Sequence, residues 1–192
     1  MNRSVVDRVV AGIGLVLAVV LLVATGLLFY AHSYVHGQVR DQLVEQKITF
    51  PEAGSESITS LPKADQSEVS QYAGQDLTTG AQAEVFADHY IKVHLANVAD
   101  GQTYSEVSAK AMASPDDEAL AGQVNTLFKG ETLRGLLLNA YAFDTMATIA
   151  FIAAWVSLGG ALVLLALSAL GFLHSRRVTA PAVAPEASVA TA

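Results

Sequence analysis

Two stretches without a charged residue decide most of what this chain can become. Val9 to Val39 contains no Asp, Glu, Lys or Arg, and Val9 to Ala31 is almost wholly apolar. As a helix the apolar stretch is roughly 34 Å long, enough to cross a hydrocarbon core of about 30 Å. The second block, Thr145 to Leu173, is equally free of those charges. It is longer, so it must tilt or leave one end in the interface. Together the blocks explain a hydrophobic fraction of 52% in 192 residues, high for a soluble domain of this size. The expected organisation is a short tail over 1–8, a transmembrane helix over 9–31, and an extracytoplasmic domain over 32–144. A second transmembrane helix follows over 145–173, then a tail over 174–192.

The first block reads as an uncleaved anchor. Its apolar run exceeds the roughly 7–15 residues of a signal core. The following "FYAHSYVHG" is bulky where a cleavage site needs small residues. Arg3 and Arg8 precede the first block and Arg176 and Arg177 follow the second, which puts both termini in the cytoplasm. Arg40, Lys47, Lys129 and Arg134 equal them in number on the other side, so the assignment rests on clustering and on the very short N-terminal tail. Between the blocks lie 16 of the 18 acidic residues, all but Asp7 and Glu186, and 7 of the 11 basic ones, a net charge of −9. That balance disfavours nucleic acid and anionic lipid, and suits a basic partner or plain solubility. With no cysteine there are neither disulfides nor thiolate metal sites.

The middle segment reads as all-α. Val35, Val39 and Leu43 recur every fourth residue and extend the first helix outward as a stalk, which Gly37 weakens without ending. Pro51 and Gly54 break it. Residues 47–79, rich in Ser, Thr, Gly and Gln, read as mostly irregular, with one short helical turn near Glu68 to Tyr72. Thr79 with Gln82 and Thr103 with Glu106 have capping-box spacing. The first box opens a helix with Phe86, Tyr90 and Val93 on one face and Ile91, Leu95 and Val98 beside them, and "ADG" closes it. In "SPDDE", Ser114 is the expected cap and Pro115 the first helical residue. That helix carries Leu120, Val124, Leu127 and Phe128, and Gly130 closes it. A last helix then starts near Glu131 and runs into the second span. Tyr30, Tyr34, Tyr141 and Phe143 mark one interfacial aromatic belt. The Ala/Pro-rich tail is expected to be disordered.

Candidate chemistry is thin. His89 and His94, five apart, diverge by about 140° on an α-helix, whereas two ligands on one face need a spacing of three or four. They read as packing or surface histidines. His32 and His36 do have the spacing, but the nearest acid is Asp41 beyond them, so they make at most a weak metal site or a pH-responsive stalk. Ser105 and Ser108 lack a nucleophile elbow. The glycines of "SLGGAL" lie inside a span, where small residues let helices approach, as do the pairs Gly14/Ala18 and Ser157/Ala161. Neither span holds an ionisable residue at depth, which argues against a transporter acting alone. The two tails are too short for an output domain. No catalytic, cofactor-binding or metal-ligating residue is assigned.

The runs Tyr-Ile-x-x-His-Leu at Tyr90–Leu95, Gly-x-Thr-Tyr at Gly101–Tyr104 and "LFKGETLRGLLL" at Leu127–Leu138 resemble those of a family of uncharacterised actinobacterial two-span membrane proteins. The likeness runs from about Gly74 to the second span. It implies a two-span membrane protein of unknown activity, though some members are described as aromatic ring-opening dioxygenase subunits. That alternative, a metal-dependent oxygenase, needs two histidines and a carboxylate on one Fe(II), a set the spacings do not supply. The reading adopted is a non-enzymatic interaction or accessory protein. Its partners are the bilayer and either another protein or a second copy of itself. If Gly130–Gly135 is a contact or hinge, Arg134→Ala weakens association. Otherwise Glu131 and Arg134 are a local helix pair of a few tenths of a kcal/mol.

Overall fold

The computed structural model describes residues 3–179, which are mostly helical with no strand among them. Two long helices frame the chain, α1 (Arg3–Gln46) and α7 (Glu118–Thr179). Between them lie α2 (Glu56–Thr59), α3 (Lys63–Ser70), α4 (Gly80–Val85), a π-helical turn (Phe86–Ile91), α5 (Lys92–Val98) and α6 (Tyr104–Ala113). Both tails are thereby shortened, since α1 already includes residues 3–8 and α7 continues through 174–179. The disorder expected beyond residue 179 lies outside the described residues.

The chain divides into two compact units, one formed by residues up to 29 and from 151 onward, the other by 30–150. In the first, α1 and α7 are each long and apolar enough to cross a membrane. Only 11% of the most apolar window of each is buried, unlike a core helix of a soluble protein. The two run antiparallel and meet through small side chains. Ala11, Ala18 and Thr25 are buried on α1, and Ala154, Ala161, Ser168 and Ser175 on α7, each series with a period of seven. A strict seven-residue repeat keeps one seam facing the partner helix. A Cβ on Gly14 would lie 2.6 Å from Ser168 Oγ, and one on Gly171 would lie 3.1 Å from Ala11 Cβ. Ser157 Oγ donates to the Leu21 carbonyl at 3.0 Å, and Phe29 meets Phe151 and Trp155 edge-on. Larger side chains such as Val16, Leu27 and Val156 point outward. Of the small pairs read from the sequence, Ala18 and Ala161 belong to this repeat, and Gly14 and Ser157 meet the facing helix beside it.

In the second unit, residues 47–79 are more ordered than their composition implies. Lys47, at φ 51°, ends α1 in the left-handed region. The chain then pairs with itself: Leu77 N–H donates to Ile48 O, Phe50 N–H to Gln75 O and Gly74 N–H to Pro51 O. Helices α2 and α3 replace the single expected turn. The reason is apolar anchoring, since Phe50, Ile58, Leu61, Val69 and Leu77 all belong to the core. Phe50 packs its ring against Tyr72 and Phe86.

Both capping boxes form as the spacing predicts, at Thr79/Gln82 and Thr103/Glu106. Hydrogen bonds from the Thr103 backbone and hydroxyl hold the Glu106 carboxyl below its ordinary pKa. The cap therefore supports α6 above the usual Glu range and is lost as pH falls through the lowered value. The expectation for "SPDDE" is corrected. Ser114 ends α6, its N–H donating to Lys110 O and Ala111 O, while Asp117 caps α7 by accepting from Ala119 and Leu120 N–H.

Gly130 does not close a helix either; α7 runs through it. Its role is clearance, since a Cβ there would lie 2.3 Å from Leu95 Cδ2 and 3.0 Å from Leu95 Cγ. Gly→Ala inside a helix ordinarily stabilises by about 1 kcal/mol. Here overpacking of about 1–3 kcal/mol should reverse the sign. Thermal unfolding of the detergent-solubilised protein should show Gly130→Ala lowering Tm, whereas Gly122→Ala, with open space around it, should not. In a Leu95→Ala background the Gly130→Ala penalty should vanish; its persistence there would sink the packing account.

Candidate functional site

Two gatherings of polar side chains tie the helices of the 30–150 unit together; sequence spacing points to the histidines of the second, His32 and His36, but to none of the aspartate partners. The first is the π turn, where the helix opened by Thr79 widens before α5 resumes. Asp88 and His89 sit on that turn and bond in different directions. Asp88 Oδ1 accepts from Arg134 of α7, at 2.7 Å from Nη2 and 3.1 Å from Nε. Arg134 also reaches Glu131 at 3.3 Å, so the local pair exists but is the longest of its three bonds. The bond to Asp88 raises the Arg134 pKa further above its ordinary value, so the guanidinium stays charged. His89 Nδ1 lies 2.8 Å from Asp65 Oδ1 of α3. Asp65, Asp88 and His89, with Lys92, Val93 and Pro62, line an open cleft of about 510 Å³. π turns recur at functional sites in proteins, which makes this cleft the first candidate.

His94 does not join it. Its ring stands edge-on to Tyr90 at 4.4 Å, and its Nε2 is buried without a hydrogen-bond partner. The opposed directions expected of His89 and His94 agree with this placement.

The second gathering joins α1 to α7 through His32, His36 and Asp144. The two imidazoles stack at 5.7 Å. His36 Nδ1 lies 2.6 Å from Asp144 Oδ1, and His32 Nδ1 lies 2.9 Å from the Ala147 carbonyl. Asp144, not Asp41, is thus the acid that meets the stalk histidines, a partner 108 residues away in sequence. Gly80 makes room for it, since a Cβ there would fall 2.4 Å from Asp144 Cβ. Among the described residues no three His, Asp or Glu side chains converge as a metal ion requires. His36 and Asp144 bond to each other instead of pointing together at a third position. Ser105 and Ser108 lie on α6, apart from both gatherings.

Comparison of the chain with protein-family models, with curated proteins and with solved structures finds no match.

What these contacts do chemically is tie helices together. The Arg134 and Asp88 side chains are only 24% and 31% exposed, so losing one charge strands the other in a half-dry setting. Asp88→Asn should cost about 1–2 kcal/mol in urea unfolding, and Glu131→Gln only a few tenths. In a double-mutant cycle, Asp88→Asn with Arg134→Gln should cost clearly less than the two single changes added. Strict additivity would mean that the contact carries no coupling energy.

Proposed function

We infer that the chain is a non-enzymatic membrane protein with both termini in the cytoplasm, whose helical domain between the spans binds a protein partner at the membrane. The observation that carries this reading is a set of exposed apolar side chains on that domain. Tyr104 and Phe128 touch ring to ring at 5.8 Å while remaining 39% and 57% exposed. Met112 and Leu136 are still more open than Tyr104, at 75% and 56%. Phe128 lies 17 residues before Thr145 in one continuous helix, about 26 Å beyond the start of the apolar block. Contact with lipid therefore does not account for it. Aromatic residues and Met are the types enriched at protein interfaces, and the touching, exposed rings of Tyr104 and Phe128 form an apolar patch of that kind. The domain's net charge of −9 adds that the partner's facing surface is neutral or basic.

Both halves of the reading can be tested. The chain has no cysteine, so single cysteines report topology cleanly. Ser60→Cys, exposed on the domain, should react with a membrane-impermeant maleimide in intact cells, and Ser4→Cys only after permeabilisation. The reverse pattern would overturn the orientation. For the partner, the chain would be purified from its membrane in mild detergent and the co-purifying proteins identified by mass spectrometry. Leu136→Lys and Phe128→Glu should abolish the stoichiometric species while changing stability by less than about 0.5 kcal/mol, as exposed substitutions do. A chain that purifies alone, or a partner indifferent to both changes, would end the proposal.

A further inference from the structure

Between α1 and α7, within the unit formed by the two apolar stretches, lies a cleft of about 250 Å³. Val10, Leu164 and Leu167 give it apolar walls, and Gly14 and Gly171 add no bulk. Two polar side chains line it, Asp7 and Ser168. Ser168 is 4% exposed, and its hydroxyl is buried without a hydrogen-bond partner. A helical serine ordinarily returns its hydroxyl to a carbonyl three or four residues back. Ser175, one repeat further on, does so to Phe172 at 2.9 Å. Ser168 does not, and a buried hydroxyl left unpaired costs free energy. Asp7 is the only acidic residue among the described residues of this unit. His174 Nε2 approaches its carboxylate at 3.9 Å, too far for a hydrogen bond.

The spacing of these groups describes a ligand. Gly14 marks the level of Ser168, and it lies seven residues from Asp7, about 10 Å along the helix. The cleft therefore offers a carboxylate at the charged flank, a hydroxyl donor about 10 Å deeper and apolar walls alongside. We propose that it binds a membrane phospholipid with a primary-ammonium headgroup, phosphatidylethanolamine. The ammonium donates to the Asp7 carboxylate, an ester carbonyl accepts from Ser168 Oγ, and an acyl chain lies along Val10, Leu164 and Leu167. His174, 68% exposed beside Asp7, is placed to donate to the phosphate. Choline headgroups have no N–H to give Asp7, and an anionic glycerol headgroup has no ammonium for it and would meet the flanking Arg8, Arg176 and Arg177 instead. The site does not depend on the partner proposed for the helical domain, and its test is separate.

The full-length protein would be reconstituted in nanodiscs with equal amounts of phosphatidylethanolamine, phosphatidylglycerol and phosphatidylcholine carrying the same acyl chains. Lipids retained after gentle release would be counted by native mass spectrometry. Phosphatidylethanolamine should be retained about fivefold over each of the others, the scale of one ionic contact. Asp7→Asn should level the three to within about twofold, and Asp7→Glu should restore the preference. Ser168→Ala should lower retention of every headgroup without changing their order. Equal retention by the unaltered chain means bulk lipid only and overturns the site, as does a preference that survives Asp7→Asn. As a check that needs no variant, added phosphatidylethanolamine should raise Tm more than phosphatidylcholine; equal shifts also count against the site.

Discussion

Close approach of the two long helices is the constraint on which the other features rest. In hydrocarbon, apolar side chains gain nothing by leaving lipid for each other, so association depends on backbone proximity, packing and a few hydrogen bonds. The period-seven series Ala11, Ala18, Thr25 and Ala154, Ala161, Ser168, Ser175 supplies that proximity. One branched side chain at Ala18 or Ala161, each fully buried, would push the helices apart along the whole seam. Bulk is instead kept on the outward faces, where Val16, Leu27 and Val156 meet the surroundings.

The 30–150 unit applies the same device around a core of its own. Gly130 lets the α5 side chain Leu95 seat against α7, and Gly80 lets the start of α4 press on Asp144. Around those contacts a conventional core forms, with Phe50, Leu77, Leu127 and Leu137 nearly inaccessible. The polar ties lie over this core, where partial burial strengthens them without full desolvation. Arg134 shows why residue type matters. Its fork gives Asp88 two donors and still reaches Glu131, which a lysine could not do.

Features that depend on neighbours in sequence were readable without a structure. The uncharged blocks, both capping boxes and the Asp100–Gly101 stop are local physics, and each appears where spacing places it. Whatever depends on a distant partner was not. Nothing within a turn of His36 hints at Asp144, and nothing near Asp88 hints at Arg134, 46 residues on. Ser114 misled because Ser-Pro is a good helix start, yet the same serine was already engaged as the end of α6. Residues 47–79 do lie mostly outside helices, but their composition hid α2 and the length of α3, which five buried apolar residues anchor among the many Ser, Thr and Gly. The seven-residue repeat of small side chains was visible in principle. It is hidden in an Ala-rich span, where such pairs arise often by chance.

Gly130 carries the most general lesson. Read locally, a glycine after a helical run is a stop signal, because the left-handed cap favours it. Gly101, at φ 79°, follows the left-handed Asp100 and donates its N–H to Ala96 O to close α5, whereas Gly130 lies within an uninterrupted helix. The difference is set by what stands opposite, open solvent in one case and the Leu95 side chain in the other. In a chain whose glycines and alanines hold helices together, function is to be sought where this economy of bulk is broken. Three places break it: the exposed rings of Tyr104 and Phe128, the cleft beside the π turn, and the buried hydroxyl of Ser168. Each leaves exposed surface or a hydrogen-bonding group that the chain does not use on itself.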